Sequence, residues 1–485
     1  MTQQETRTSA STSYFDSTMT STEEKTIVVS WEGDDDPENP RNWSRTQKWI
    51  VTGLISVNVM LLHISSTMIA PAARNVAIDL GSTTLIFEPL LTSIFFLGTV
   101  QLGNMFYIIF NLVCAFAKTP DQMLWFRFLA GIGGSAPLSL GVRVINSCWS
   151  GKDPNGPKHL YTLALLLAPI VGPIAGAWIT MKTTWRWIFW TTSIASTLIQ
   201  VGHFFWLRET FAPIILARKA KRLQNASGEE ENVRYVTSNQ QNPFNDSVYK
   251  FLLLYPVCLL VTEPIIQLTG IYLAYIYGLI YLILTSIPGI FVGVYHESIG
   301  IAGLHYIAFG IGLYGGAQIA NAIQDNLYRR LSAHYGTDDC LEFRIPLMLP
   351  ATLFVATGLF IVGWSVSSGV YWVVTDIGFV ITGIGITVNW HTMQRYIMCT
   401  YAVRTSSALE GVSILRSVVA FALPLCSPSL YQNLGYGKGN TILAGLALGL
   451  GLLLISILWF FGAVFRRKIV WPESGSAQVA TAARN

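Results

Sequence analysis

Five charged residues lie inside or at the ends of long apolar segments, where a charge is most able to do chemistry. Arg127, Arg416, Asp376 and Glu410 lie within such segments, and Glu263 starts another. A charge at the centre of a membrane span costs about 2.5–3.5 kcal/mol on insertion scales, so it is a functional candidate by default. A carboxylate in apolar surroundings can load and release a proton near neutral pH. Glu410 and Asp376 are therefore candidate proton carriers, although interfacial exposure is an alternative explanation for Asp376 and Glu263.

A second group of residues could line a cavity for an organic ligand. Tyr275, Tyr277 and Tyr281 share one apolar segment, and the last two are four residues apart, so they lie on one helix face. Aromatic faces bind flat apolar or cationic ligands, but tyrosine is also common at membrane interfaces. The predicted cavity is completed by polar residues for which a polar bundle interior is the alternative: Asn389, His391, Gln394 and Arg416.

One apolar segment combines prolines with closely spaced glycines. Pro169 and Pro173 each remove a backbone hydrogen bond, and Gly172 and Gly176 form a GxxxG pair that allows close helix approach. Such a helix suits a protein whose halves move against each other, so we predict a gating or packing role for these four residues.

Composition indicates a membrane protein with two halves. The 485 residues are 52% hydrophobic and 12% charged, whereas soluble domains carry about 25% charged residues. Apolar runs long enough to cross about 30 Å of hydrocarbon fall into two groups. Between the groups, residues 208–250 hold 12 charged residues in 43 positions. A many-span protein with two similar halves is most often a secondary transporter with its site between the halves.

The chain divides into five predicted regions. A disordered tail (1–47) is followed by a helical bundle (48–207), a central loop with an interfacial segment (208–262), a second bundle (263–468) and a second tail (469–485). Basic residues favour the cytosolic side, so both tails and the central loop are predicted to face the cytosol. The outer loops then receive only five basic residues: Arg74, Lys118, Lys182, Arg186 and Lys438.

The segment Phe87–Ala117 is too short for two full spans. Its 31 residues would measure about 46 Å as one helix, whereas two upright spans need about 40 residues. Twelve crossings fit the distribution of basic residues, so we predict two abbreviated helices, Glu88–Val100 and Gly103–Ala117, joined by a tight turn near Gln101. One continuous tilted helix is the alternative, and it would invert every later loop.

Nine stretches carry a family resemblance. They are Asp36–Ser44, Trp125–Pro137, Leu167–Gly176, Trp185–Trp190, Arg208–Pro213, Thr262–Ile265, Tyr275–Gly278, Asp325–Arg330 and Leu434–Gly437. Together they resemble motifs of fungal major facilitator superfamily transporters, and most closely those of the twelve-spanner drug:proton antiporter branch. The resemblance covers about residues 34–468, and the motifs are specific in combination.

The resemblance implies an all-α polytopic membrane protein made of two six-helix bundles. It implies that the chain exchanges protons for a small organic solute across the plasma membrane, and we expect a monomer that binds lipid but no nucleic acid. By resemblance, Arg127 is a buried arginine linked with proton coupling, and Leu167–Gly176 is a motif of antiporters. The same resemblance assigns Asp325, Arg329 and Arg330 to an inner loop.

Other chemistries find little support in the sequence. No Walker loop is present, which argues against an ATP-driven pump, and no Ser-His-Asp or paired-acid arrangement has a catalytic context, so no enzyme is predicted. The six cysteines lack metal-ligand spacing. We therefore expect neither a metal nor a cofactor.

Three departures from the family keep other functions open. About 15–20 residues of a Gly-rich loop are missing between Thr99 and Gly103, as the length deficit also indicates. The stretch Trp149–Pro157 keeps little of the loop that follows helix four, and Cys399 stands where the branch places an aspartate. A proton-coupled uptake symporter is one alternative function. A non-transporting protein, either a sensor or a defective relative, is the other.

Overall fold

The computed structural model describes residues 25–29, 31, 36–80, 104–134, 141, 144–145, 147–149, 155–206, 210, 212–226, 233–237, 255–336, 341–401 and 405–467. The chain forms two compact units. The smaller comprises Met1–Asn42 and Glu209–Pro243, and the larger comprises Trp43–Arg208 and Phe244–Asn485.

The first half of the larger unit is a helical bundle. Its helices are α1 (Arg45–Thr67), α2 (Ala73–Asp79), α3 (Asn104–Cys114), α4 (Pro120–Gly134), α5 (Asn155–Lys182) and α6 (Arg186–Trp206), with a 3-10 turn at Ala70–Ala72. The Ser44 hydroxyl caps α1 by accepting a hydrogen bond from the Gln47 amide (3.3 Å). Because α1 packs against α5 and α6, and α3 packs against α4 and α6, these helices form one bundle.

The smaller unit brings the N-terminal region together with the central loop. Strand β1 (Lys25–Val29) pairs in parallel with β2 (Val233–Thr237), and α7 (Ala212–Ala226) packs against both strands. The carboxylate of Asp36 accepts from the ammonium of Lys219 at 3.0 Å. The region predicted as a disordered tail therefore contains a strand and an ion-paired acid.

The second half of the larger unit forms the C-terminal bundle. Its helices are α8 (Pro264–Phe291), α9 (Ile299–Ala302), α10 (Tyr306–Tyr335), α11 (Met348–Ser367), α12 (Trp372–Thr400), α13 (Thr405–Leu425) and α14 (Ser427–Arg467), with 3-10 turns at Gly303–His305 and Leu341–Leu347. α8 packs against α13, α12 against α10 and α11, and α14 against α11. Gly435 interrupts α14 with φ 73°, a left-handed conformation that glycine adopts without side-chain strain.

The helices confirm a polytopic membrane protein. Among the described residues, eight helices are long and apolar enough to cross a membrane, and the apolar helix Met105–Cys114 is shorter. α3 lies inside the predicted range Gly103–Ala117. The other predicted short helix, Glu88–Val100, and the turn near Gln101 lie outside the described residues, so the abbreviated pair stays a prediction.

The helix α10 is longer than the sequence indicated. It runs to Tyr335 and ends at Gly336, whose φ of 65° gives the left-handed C-cap typical of helix ends. Asp325, Arg329 and Arg330, which were predicted to lie on an inner loop, therefore lie on the last turns of a helix. No proline or glycine separates these residues from the preceding turns, so the helix continues until Gly336.

The helix α5 packs against both bundles. It contacts α1 on one side, and α9, α10 and the Gly303–His305 turn on the other. A Cβ atom added at Gly172 would meet the Thr67 hydroxyl, and one added at Gly176 would overlap the Met68 carbonyl oxygen. The two glycines therefore permit the α1–α5 approach. A gating role for Pro169, Gly172, Pro173 and Gly176 stays a prediction.

Candidate transport site

The buried Arg127 side chain binds the end of a neighbouring helix. It lies on α4, and its two terminal nitrogens donate to the carbonyl oxygens of Ser65 (3.1 Å) and Ser66 (3.2 Å). Both carbonyls belong to the last turn of α1, where helix carbonyls lack intrahelical partners and carry partial negative charge. The guanidinium therefore satisfies two backbone acceptors and complements the α1 dipole. Its carbon also lies 5.7 Å from the centre of the Phe189 ring.

A buried asparagine extends this polar cluster across the N-terminal bundle. The amide oxygen of Asn111, on α3, accepts from the Ser65 hydroxyl at 3.1 Å. Its amide nitrogen donates to the hydroxyls of Thr192 and Ser193 on α6, both at 2.9 Å. Asn111 thus ties α1, α3 and α6 together. Sequence reasoning missed it, although a polar residue in the apolar run of α3 was an available signal.

The second membrane-embedded arginine has aromatic neighbours. Arg416 lies on α13 and is half-buried; its guanidinium carbon lies 4.6 Å from the Tyr277 ring centre and 5.3 Å from that of Trp390. The two rings are 5.7 Å apart. Tyr277 and Tyr281 also touch, with their hydroxyl oxygens separated by 3.4 Å. The structure therefore brings together three predicted cavity residues and Trp390, which the sequence did not single out.

The helix α1 connects this aromatic site to the Arg127 cluster. The hydroxyl of Tyr281 is within hydrogen-bonding reach of Ser66, the residue whose carbonyl binds Arg127. His63, one turn earlier on α1, lies within electrostatic range of Arg416 and contacts the Val59 carbonyl through Nδ1 at 3.0 Å. The Arg416 site thus lies where the two bundles meet, and one stretch of α1 touches both arginine sites.

A histidine and two carboxylates meet in the C-terminal bundle. His305 Nδ1 lies 2.9 Å from an Asp376 oxygen on α12, and Nε2 lies 2.8 Å from a Glu297 oxygen in the α8–α9 connection. The imidazole stacks on Phe291 with centroids 3.5 Å apart, and the edge of Trp372 meets it at 5.2 Å. The sequence singled out Asp376 but missed His305 and Glu297, because nothing in their spacing indicates that they converge.

The opposite ends of these helices carry an ionic cluster. Asp325 on α10 accepts from Arg395 on α12 at 2.9 Å and from Arg344 at 3.2 Å. Arg329 donates to Asn326 on its own helix at 3.2 Å. Predicted residues at this end therefore join α10 to α12 and to the 3-10 turn before α11, whereas Arg330 lies on α10 without a role assigned by these contacts.

The remaining predicted residues occupy different surroundings. The Tyr275 hydroxyl donates to the Leu443 carbonyl on α14 at 2.6 Å. Asn389 is fully buried, accepts from Thr352 on α11 at 3.3 Å and donates within its own helix, so it connects helices of one bundle. The others are partly exposed on α12 and α13: His391, Gln394 and Glu410. A cavity-lining or proton-carrying role for these residues stays a prediction.

The sequence matches a known family and several named fungal proteins. The family described as Major Facilitator Superfamily matches residues 97–409. The chain is 36% identical to the efflux pump vrtL of Penicillium aethiopicum over 460 residues, which cover 90% of both proteins. It is 37% identical to the probable efflux pump mfs2 of Aspergillus flavus over 76% of this chain and 87% of that protein. An uncharacterized transporter of Schizosaccharomyces pombe, C1529.01, is 34% identical over 91% of this chain and 94% of its own.

Solved structures of transporters have a similar fold. A D-xylose-proton symporter matches with a TM-score of 0.62 at 13% identity, covering 85% of this chain and 97% of the symporter. A bacterial homolog of the human lysosomal transporter Spinster matches with a TM-score of 0.57 at 12% identity, covering 89% and 100%. At these identities the likeness concerns the fold alone, and it confirms the predicted architecture of two helical bundles.

Proposed function

The chain belongs to the major facilitator superfamily, and we propose that it exports a small organic solute in exchange for protons by alternating access. The solute would be a drug, toxin or secondary metabolite, and the plasma membrane is the proposed location. Export is supported by the likeness to two proteins named as efflux pumps, one of them 36% identical over 90% of both chains. A site between the bundles is what alternating access requires.

The observation that carries proton exchange is the pairing of His305 with two carboxylates. Both ring nitrogens contact carboxylate oxygens, at 2.9 Å to Asp376 and 2.8 Å to Glu297. A neutral imidazole has one N–H, and an ionised carboxylate can only accept. Two such contacts therefore need an additional proton, either on the imidazole or on one carboxylate. The cluster of Glu297, His305 and Asp376 is thus a place where this protein can hold and release a proton.

The positions of neighbouring groups support a coupling role for this cluster. His305 is the last residue of the Gly303–His305 turn, and that turn contacts α5 of the other bundle. A Cβ atom added at Gly303 would meet the Ala177 side chain on α5. A change in the charge of the cluster would therefore act on helices at the junction of the two bundles, where alternating access needs a switch.

The test uses purified full-length protein in liposomes that contain a pH-sensitive dye. A proton gradient should drive fluorescent organic solutes, such as rhodamine 6G and 2-naphthoate, against the proton flow, with solute and proton fluxes recorded together. Asp376→Asn and Glu297→Gln should allow solute equilibration but abolish its acceleration by the gradient. Asp79→Asn is the matched control, because Asp79 lies on the N-terminal bundle, away from this cluster, and pairs there with Arg186 at 2.7 Å.

Each outcome bears on one part of the proposal. Solute movement that the gradient does not accelerate in the wild type would exclude proton exchange, and movement in the direction of the protons would indicate symport. If Asp376→Asn and Glu297→Gln both kept full gradient-driven exchange, the coupled proton would not bind at this cluster. No movement of any solute would contradict the transport function itself.

A further inference from the structure

Among the residues that the structure describes, the Arg416 guanidinium has no carboxylate partner. Its Nε is buried without a hydrogen-bond partner, and none of the ion pairs among the described residues involves it. The Arg416 side chain as a whole is half-buried, although its Nε is buried. A charge placed in an apolar bundle is costly unless it is paired, so an arginine in this state is suited to pairing with a ligand.

The nearest acid on the same helix cannot serve as the counter-ion. Glu410 precedes Arg416 by six residues, which is about 9 Å along the axis and about a third of a turn around it. No ion pair joins the two side chains in the described structure. His63 on α1 faces Arg416 as well, and it would add positive charge if protonated. The described titratable side chains around the guanidinium are His63, Tyr277 and Tyr281, and none of them is a carboxylate.

The aromatic neighbours determine the shape of a matching ligand. Tyr277 and Trp390 hold the guanidinium against their rings at 4.6 and 5.3 Å. An arginine held this way presents its N–H groups at the edge of the plane, where they can bind a carboxylate with two parallel hydrogen bonds. The same two rings offer faces to an aromatic group attached to that carboxylate.

We propose that Arg416, Tyr277 and Trp390 form a receptor for the anionic group of an aromatic solute, a carboxylate or a phenolate carried on a ring. This inference rests on the proposed transport function and specifies its substrate class. Arg416 supplies the charge and the hydrogen bonds, Tyr277 and Trp390 supply ring contacts, and Ser66 and Tyr281 lie beside them at the junction of the bundles. Aromatic acids should therefore be preferred over neutral and cationic compounds of the same shape.

Binding to the full-length protein in detergent or lipid nanodiscs tests this preference. The probes are 2-naphthoate, its neutral analogue 2-naphthamide and the cation 2-naphthylmethylammonium, which share one ring system. Isothermal titration gives their dissociation constants. Because the chain has 15 tryptophans, the ring contact with Trp390 is reported by the part of the fluorescence quenching that is lost in Trp390→Phe. We expect 2-naphthoate to bind at least about tenfold more tightly than 2-naphthamide, and the cation to bind least well.

Two substitutions and one control assign the preference to Arg416. Arg416→Gln should reduce the ratio of naphthoate to naphthamide affinity to about one while leaving naphthamide binding unchanged. Arg416→Lys keeps the charge but loses the planar fork, so it should retain part of the preference. Arg186→Gln removes an arginine that pairs with Asp79 elsewhere in the chain, and it should leave the ratio unchanged. Thermal melting identifies any variant that is not folded.

The outcomes separate this inference from the transport proposal. Three outcomes would contradict the proposed anion site at Arg416. They are equal binding of all three probes by the wild type, no binding of any probe, and an unchanged affinity ratio in Arg416→Gln. If liposomes show gradient-driven exchange of rhodamine 6G while naphthoate is not preferred, export stands and the substrate class is wrong. If naphthoate is bound selectively through Arg416 but no solute moves in liposomes, the anion-binding site is supported and the proposed transport function is contradicted.

Discussion

The two membrane-embedded arginines occupy contrasting environments. Arg127 is fully buried in the N-terminal bundle, where it donates to the backbone carbonyls of Ser65 and Ser66. Arg416 is half-buried in the C-terminal bundle, where its neighbours are the faces of Tyr277 and Trp390. Hydrogen bonds therefore fix the first guanidinium to the end of α1, whereas the described contacts of the second are with aromatic rings.

This contrast indicates that the Arg127 region stabilises the N-terminal bundle, whereas the Arg416 site serves the proposed binding of solute. The polar groups of the N-terminal cluster bind one another, as Asn111 does through Ser65, Thr192 and Ser193. Such a hydrogen-bonded network stabilises one arrangement of helices. The aromatic site instead holds a cation that has no ion pair among the described residues, which suits the proposed recognition of an anion. Substitutions in the first region should therefore reduce stability, and those in the second should change selectivity.

The largest expected effect is that of Arg127→Leu. The substitution leaves the Ser65 and Ser66 carbonyls without their guanidinium donor, and each unsatisfied buried acceptor costs about 1–3 kcal/mol. Thermal melting of purified protein should show a large loss of stability, and export should fall to background. Arg127→Lys should rescue only part of this loss, because one ammonium group cannot reproduce the planar fork. If Arg127→Leu melted at the same temperature as the wild type, Arg127 would not be needed to stabilise the N-terminal bundle.

A smaller loss is expected for Asn111→Ala. The substitution removes hydrogen bonds to the side chains of Ser65, Thr192 and Ser193, each worth about 1 kcal/mol net, so a loss of about 2–3 kcal/mol should appear in chemical unfolding. Asn326→Ala is the matched control, since Asn326 is exposed on α10, and it should change stability by less than about 0.5 kcal/mol. Equal losses in both variants would contradict the idea of a special network around Asn111.

Gly176→Ala tests whether the close approach of α1 and α5 is needed for stability and export. The added methyl group overlaps the Met68 carbonyl oxygen, and overpacking of this kind costs about 1–3 kcal/mol. Melting temperature and export rate should both fall. Gly315→Ala, at a helical glycine on α10 with open space around it, is the control and should be neutral or slightly stabilising. A neutral Gly176→Ala would show that α1 and α5 need not approach so closely.

Arg416→Gln should have the smallest effect on stability. It removes two cation–π contacts, each worth about 0.5–1 kcal/mol at partly exposed sites, but it also removes the cost of an unpaired charge. We expect a melting temperature close to that of the wild type, together with an altered solute preference. A loss of stability as large as that of Arg127→Leu would mean that both arginines are structural, and the proposed division between the bundles would be wrong.

The sequence by itself determined the class of the protein and several of its important residues. Long apolar runs with sparse charge allow only membrane-spanning helices, because backbone groups in hydrocarbon must bond within their own segment. The cost of an intramembrane charge singled out Arg127, Arg416 and Asp376, and small-residue spacing singled out Gly172 and Gly176. These inferences depend on composition and local spacing, which are properties of the chain alone.

Only the tertiary structure decided which of these residues meet. His305 and Glu297 lie far from Asp376 in sequence, and Trp390 and Asn111 have no local pattern that reveals their partners. The extent of α10 was also misjudged, because the predicted loop around Asp325 was inferred from the family resemblance. In the structure, ion pairs from Asp325 to Arg344 and Arg395 stabilise a charged helix end there. Contacts between residues distant in sequence arise from helix packing, and the periodicity within one helix does not encode which face meets which neighbour.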